Sequence, residues 1–141
     1  MDVVTEVVYR ANVSVSGGRV GRATSDDGLL DLALARPGSG DGVNPEQLLA
    51  AGWGACFLST IHAIGRKAGI DTSAAMIQVG VTLGKDAEQL FALKADFDVA
   101  IPGLATDVVA DLVEQAHGRC PYSRALSTAI EIRTSIDGAA A

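Results

Sequence analysis

The chain has 141 residues, with 11 Lys and Arg against 17 Asp and Glu, for a formal net charge of −6. That length suits a single domain, 1–141, able to bury a real core without metal or disulfide staples, and basic residues that are scattered rather than striped argue against a nucleic-acid partner. The opening Met1 to Arg10 lacks a basic segment followed by an apolar run, and no window approaches the roughly 18 apolar residues of a membrane span, so the expectation is a cytoplasmic protein with no membrane partner.

Val7, Tyr9, Ala11, Val13 and Val15 alternate at period two and predict a strand over Val4 to Val15. Ser16 to Arg22 reads as a Gly-rich turn, and Ser25-Asp-Asp-Gly28 as a second turn leading into Leu30, Leu32 and Leu34, so the region predicts an antiparallel meander. A flexible Gly, Ser, Asp and Pro connection from Pro37 to Val43 leads to Asn44, a natural N-cap, with Pro45 at the first helical position and Glu46 in the first turn. The helix is predicted to run to about Lys67. Its broad face carries Leu49, Gly52, Trp53, Cys56, Thr60, Ile61 and Ile64, and Gly52 and Gly54 permit close approach of another backbone, so it is expected to be buried. Ala74 to Leu83 and Leu90 to Ile101 predict a hairpin, Thr106 or Asp107 starts a helix reaching His117, Cys120-Pro121 opens another through Thr128, and Ile130 to Ile136 closes the chain as a strand. Few aromatics and many small aliphatics predict a core that oligomerisation would help.

The two cysteines fall in the two most unusual segments, Asn44-Pro-Glu-Gln-Leu-Leu-Ala-Ala-Gly-Trp-Gly-Ala-Cys-Phe57 and Ala116-His-Gly-Arg-Cys-Pro-Tyr-Ser123. A thiol attacks as its thiolate, which a nearby cation or a helix N-terminus favours. Cys120, ahead of Pro121, is placed to feel the dipole of the helix that follows. Cys56 lies among apolar neighbours that favour the protonated thiol, so a reactive Cys56 needs an imported cation. Arg19 and Arg22 are candidates, with Glu46 a carboxylate able to hold a guanidinium in bidentate fashion. Glu46 and Cys56 are ten residues apart on one helix, roughly 15 Å at about 1.5 Å per residue, too far for one Arg to bridge easily. Two such helices packed antiparallel across a dimer bring Glu46 of one chain nearer Cys56 of the other, which predicts a site shared between subunits. The cysteines are too distant in sequence for a CxxC couple, and any pairing between them depends on the fold.

Taken one at a time, these residues have blander readings. Cys56 reads as a core thiol, Arg19 as a solvated loop charge, Glu46 as a first-turn carboxylate, and Trp53 and Phe57 as core rather than substrate wall. His62 and His117 read as surface or satisfied helix residues; without close ligand spacing they and the cysteines predict no metal, and Gly17-Gly-Arg-Val-Gly21 predicts no nucleotide cofactor.

Three segments in order, Gly17 to Leu32, Asn44 to Phe57 and Ala116 to Ser123, resemble the organic hydroperoxide resistance branch of the Ohr/OsmC family of thiol peroxidases, over nearly the whole chain. The resemblance implies an α+β fold with antiparallel sheets wrapped around a long central helix in an intertwined homodimer. It implies Cys56 as peroxidatic cysteine, Cys120 as resolving cysteine, and Arg19 and Glu46 as the pair that activates the thiolate. Trp53 and Phe57 are then candidates for contacting an alkyl or fatty-acyl hydroperoxide. A dithiol, typically dihydrolipoamide or a lipoylated protein, would reset the disulfide. The chain departs from the branch at Gly52-Trp-Gly-Ala-Cys56, and at Arg124-Ala-Leu126 it is similar to the OsmC branch instead. Three other readings remain: an OsmC-like peroxidase of broader peroxide tolerance, a non-enzymatic redox sensor, and a small-ligand module with inert thiols.

Overall fold

The computed structural model describes residues 3–140; Met1, Asp2 and Ala141, which belong to the opening segment and the 1–141 reading above, lie outside them. The chain divides into two compact units, one ending at Pro45 and one beginning at Glu46.

In the first unit β1 (Val13–Ser16), β2 (Gly21–Ser25) and β3 (Asp31–Leu34) form the expected antiparallel meander, with Val15 opposite Ala23 and Ala23 opposite Leu32. The β1–β2 turn needs its glycines. Gly17 sits at φ +75°, and a Cβ on Gly21 would lie 1.8 Å from the Ser16 carbonyl oxygen. That turn is shorter than predicted, because Ser16 closes β1 while Gly21 and Arg22 already pair in β2. In the next turn Gly28, at φ +76°, follows Asp27, whose carboxylate accepts from the Leu29 N–H at 2.9 Å.

The strand expected over Val4 to Val15 is a correction. Only Val13–Ser16 forms a strand, and Val3, Val4, Val7, Val8 and Tyr9 are exposed. Alternation makes a strand only where an edge supplies hydrogen bonds. Within the chain β2 is five residues long, and its pairing with β1 ends at Val13 opposite Ser25.

The second unit holds most of α1 (Pro45–Ala68), then β4 (Met76–Lys85), β5 (Phe91–Ala100), α2 (Thr106–Arg119), α3 (Pro121–Leu126), β6 (Glu131–Ile136) and β7 (Ala139–Ala140). The strands form one sheet in the order β4-β5-β6-β7. The β4–β5 hairpin is as expected. β6 pairs parallel to β5, so this sheet is mixed rather than purely antiparallel, with α2 and α3 as the crossover that parallel strands require. Its register sets Phe97 beside Thr134.

Trp53, Phe57, Ile61 and Ile64 of α1, Ala95, Phe97 and Val99 of β5, and Val109, Leu112, Val113 and Ala116 of α2 form one buried cluster. The spacing is helical in α1 and α2 and two in β5, the periodicities that bring one face of each element to a common core. Each large side chain sealed there contributes about 1.5–3 kcal/mol. α1 also corrects the membrane expectation: it is 24 residues long with a mean hydropathy of 1.4 over 18 residues, enough by length and composition to span a bilayer. Here Trp53, Phe57 and Ile61 are instead fully buried against protein. Gly52 and Gly54 admit side chains rather than another backbone. A Cβ would come within 3.1 Å of the Tyr122 hydroxyl at Gly52 and within 3.0 Å of a Val79 methyl at Gly54.

Candidate active site: the two thiols

Cys56 projects half-buried from α1, and Cys120 is fully buried at the joint between α2 and α3; both are free thiols. The residue before a proline is driven out of the helical region, and Cys120 accordingly adopts φ −60° and ψ 122°. Its N–H still donates to the Ala116 carbonyl at 2.7 Å, finishing α2, while its own carbonyl accepts from the Arg124 N–H at 2.9 Å, starting α3. The Cys-Pro dipeptide therefore turns the chain without leaving the buried backbone unpaired, and it delivers the Cys120 thiol to Cys56.

Burial pushes the Cys56 thiol above its ordinary pKa, and the hydrogen-bonded Cys120 thiol pushes it further in the same direction. The backbone N–H of Tyr122, which faces Cys56, opposes both. This changes the expectation for the helix dipole. Cys120 makes no side-chain cap bond to α3, and an N–H from the first turn of α3 serves Cys56 instead.

Trp53 and Phe57, expected as substrate contacts, have no exposed surface. They belong to an aromatic cluster in which Phe97 lies 5.0 Å from Trp53 and 5.1 Å from Phe57 between ring centres. Rings sealed this way support the site from behind rather than offering a wall to a ligand.

His117 completes the cluster, 4.5 Å from Phe57 and 5.1 Å from Phe97 between ring centres. Burial holds its pKa below the ordinary histidine value, so the ring is neutral at pH 7. The Trp53 indole N–H donates to Ser123 Oγ at 2.9 Å. Ser123 Oγ lies 2.9 Å from His117 Nδ1, and His117 Nε2 lies 3.2 Å from Thr134 Oγ1. An indole only donates, so Ser123 Oγ accepts from Trp53; the Nε2–H tautomer, with Ser123 donating to Nδ1 and Thr134 accepting from Nε2, is one arrangement that satisfies all four groups.

His117 was expected as a surface or satisfied residue, and it is satisfied by two hydroxyls inside the site. The spacing of Val109, Leu112, Val113 and Ala116 carries the signal that finds it, because His117 is four residues past Val113 on the same inner face. Ser123 and Thr134 carry no comparable signal. His62 is satisfied elsewhere, with Nδ1 2.8 Å from Thr72 Oγ1.

Arg19 is exposed in the β1–β2 turn of the first unit, and Glu46 is half-buried in the first turn of α1. α1 runs unbroken through Glu46 and Cys56, so their separation of roughly 15 Å along one axis holds. Arg22, the other candidate cation, pairs with Asp31 across β2 and β3 at 2.7 Å, both side chains exposed. Among the described residues no group of three His, Cys, Asp or Glu side chains is arranged to hold a metal ion.

A family model described as OsmC-like protein matches residues 38–135. The organic hydroperoxide resistance protein of Xanthomonas axonopodis pv. citri is 34% identical over 144 aligned positions, covering 93% of this chain and 96% of that one. Among solved structures, the organic hydroperoxide resistance protein OhrB of Bacillus subtilis superposes with a TM-score of 0.86 at 33% identity, covering 93% of this chain and all of that one. A putative organic hydroperoxide resistance protein of Vibrio cholerae, with captopril bound in one of its active sites, gives 0.90 at 33% identity over 97% of each chain. With the paired thiols and the α+β architecture, these likenesses show that the chain belongs to the OsmC-like family, in its organic hydroperoxide resistance branch.

Proposed function

We propose that this protein is a thiol peroxidase that reduces alkyl or fatty-acyl hydroperoxides to alcohols, with Cys56 as nucleophile and Cys120 as the thiol that closes a disulfide. The observation that carries the reading is the contact between two reduced thiols, one half-exposed on α1 and one buried beside it. The Cys56 thiolate attacks the terminal oxygen of the hydroperoxide and the O–O bond breaks. The alkoxide takes a proton to leave as alcohol, and Cys56 is left as sulfenic acid. The Cys120 sulfur then attacks the Cys56 sulfur, the S–O bond breaks, water leaves, and the disulfide protects Cys56 from further oxidation. A dithiol such as dihydrolipoamide returns both thiols, itself becoming a disulfide.

Because burial and Cys120 both favour the protonated Cys56, a cation is needed beside it. We assign that role to Arg19, held by Glu46, which also meets the charge developing on the peroxide. The 15 Å spacing on α1 favours a site shared by two copies of the chain, each a single domain. Exposed Ala51, Ala55, Ser59 and Ala63 along α1, an open apolar groove of about 310 Å³ lined by Ala50, Gly54, Leu58 and Val79, and the exposed valines of residues 3–8 all suit such a homodimer. A monomeric mass for the active protein in solution scattering removes that part of the reading. A reducing cytoplasm suits a catalytic thiol pair.

Steady-state consumption of tert-butyl hydroperoxide with dihydrolipoamide tests the whole. Wild type is expected to turn over continuously, and Cys56→Ser to lose activity on the order of a thousandfold or more, as when a nucleophile is removed. Oxidation to a disulfide without sustained turnover points instead to a sensor or another reductant.

A further inference from the structure

Two of the contacts that join α1 to the α2–α3 joint are in step. Cys56 meets Cys120, and Trp53, three residues before Cys56, meets Ser123, three residues after Cys120. Each partner is one helical turn from a thiol, so the Trp53–Ser123 bond sets the distance at which the sulfurs face each other. α3 needs such a tether. It has six residues, too few to persist alone, and its N-cap residue makes no side-chain cap bond. Ser123 is fully buried and its hydroxyl is oriented from behind by His117, whose ring is clasped by Phe57 and Phe97 and bonded to Thr134 on β6. α1, α2, α3 and β6 thus all meet on one serine hydroxyl, through a chain of hydrogen bonds that the peroxidase reading does not use.

We propose that Trp53, Ser123, His117 and Thr134 form a register pin that holds Cys120 against Cys56, making Ser123 and His117 positioning residues for disulfide closure. The role rests on the assignment of Cys56 and Cys120 above. It predicts a split between the two chemical steps. Attack on peroxide needs only Cys56 and its cation, whereas closure needs the Cys120 sulfur in line with the S–O bond of the sulfenic acid, and only the second depends on the pin.

The experiment gives the reduced, full-length protein one equivalent of tert-butyl hydroperoxide and times two events separately: loss of peroxide, and loss of both thiols by quench, alkylation and intact mass. Wild type is compared with Ser123→Ala, His117→Phe, His117→Asn and Thr134→Val. His117→Phe keeps a ring between Phe57 and Phe97 without nitrogens, and His117→Asn keeps a polar group on the Ser123 side. Peroxide loss is expected to be unchanged. Closure is expected to slow by up to about 100-fold in Ser123→Ala and His117→Phe, the scale at which a displacement of about 1 Å acts on a reacting pair, and less in His117→Asn and Thr134→Val. Sulfenic acid then accumulates. Closure at the wild-type rate in the folded variants, or equal slowing of both steps, overturns the proposal. Thr134→Val, near-identical in shape and only half-buried, carries the test if a core variant does not fold. If wild type consumes no peroxide, the peroxidase reading fails by itself. Closure driven by diamide, which takes both thiol hydrogens to become a hydrazine, then tests the pin alone: slowing in Ser123→Ala supports it, and wild-type closure overturns it.

Discussion

Cys56 and Cys120 carry the same side chain in opposite mechanical settings. Cys56 stands midway along a 24-residue helix whose inner face is locked by Trp53, Phe57, Ile61 and Ile64, and the residue is only half-buried. Cys120 stands at a joint between helices of 14 and 6 residues, with no exposed surface. A nucleophile gains from a rigid base and an open approach. A thiol that reacts only with its neighbour gains from being kept from solvent and from every other partner. The contrast arises from local sequence: an unbroken apolar periodicity around Cys56, and a proline directly after Cys120.

The sharpest way to break this comparison is to remove the buried thiol. Cys120→Ser is expected to consume one equivalent of hydroperoxide to form the Cys56 sulfenic acid, and under excess a slower second equivalent to form the sulfinic acid, and then to stall. Sustained turnover with dihydrolipoamide in that variant refutes the division of labour, and intact mass with peroxide consumption measures both outcomes.

A smaller effect is expected from removing the cation assigned to the half-buried thiol. Arg19→Ala is expected to cost on the order of 10²–10³ in turnover, the scale of losing one stabilising donor. Because burial and Cys120 already raise the Cys56 pKa, loss of the cation moves the pH midpoint of Cys56 alkylation further toward alkali. An unchanged midpoint assigns the activation elsewhere.

The smallest effect concerns the ring behind Cys120. The folded-state pKa of His117 lies below the ordinary value of 6.5. At pH values under 6.5 the unfolded chain therefore binds a proton that the folded chain refuses. His117 thus supports full stability above about 6.5 and costs stability as the pH falls from there toward its folded value. Thermal melts across that range are expected to show this slope in wild type and a shallower one in His117→Asn; equal slopes place the titration in another group.

Much of the second unit was legible because its residues repeat with the period of their element. Trp53, Phe57, Ile61 and Ile64 announce one face of α1, and Ala95, Phe97 and Val99 announce the inner side of β5. Pro45 and Pro121 mark two helix starts through the geometry of their rings. The N-terminal alternation misled for a related reason: Val4 to Val15 has the pattern of a strand, but a strand also needs an edge, and the sequence of one chain does not say which edges are free. α1 misled in another way, since its alanines, leucines and isoleucines raise its hydropathy to that of a membrane span while its aromatic face is sealed in a protein core.

The sequence by itself determined where the helices begin, which segments hold the two thiols, and that those segments are separate, so that only the fold could pair them. Those properties follow from side-chain type and local backbone preference, which act over a few residues. Tertiary structure alone decided that the Cys120 thiol and the Tyr122 N–H meet Cys56, that Trp53 reaches Ser123, and that His117 stands between Ser123 and Thr134. Each joins residues on different elements, through the parallel register of β5 and β6 and the crossover between them. Contacts of that kind are set by how elements pack, and no local propensity encodes them.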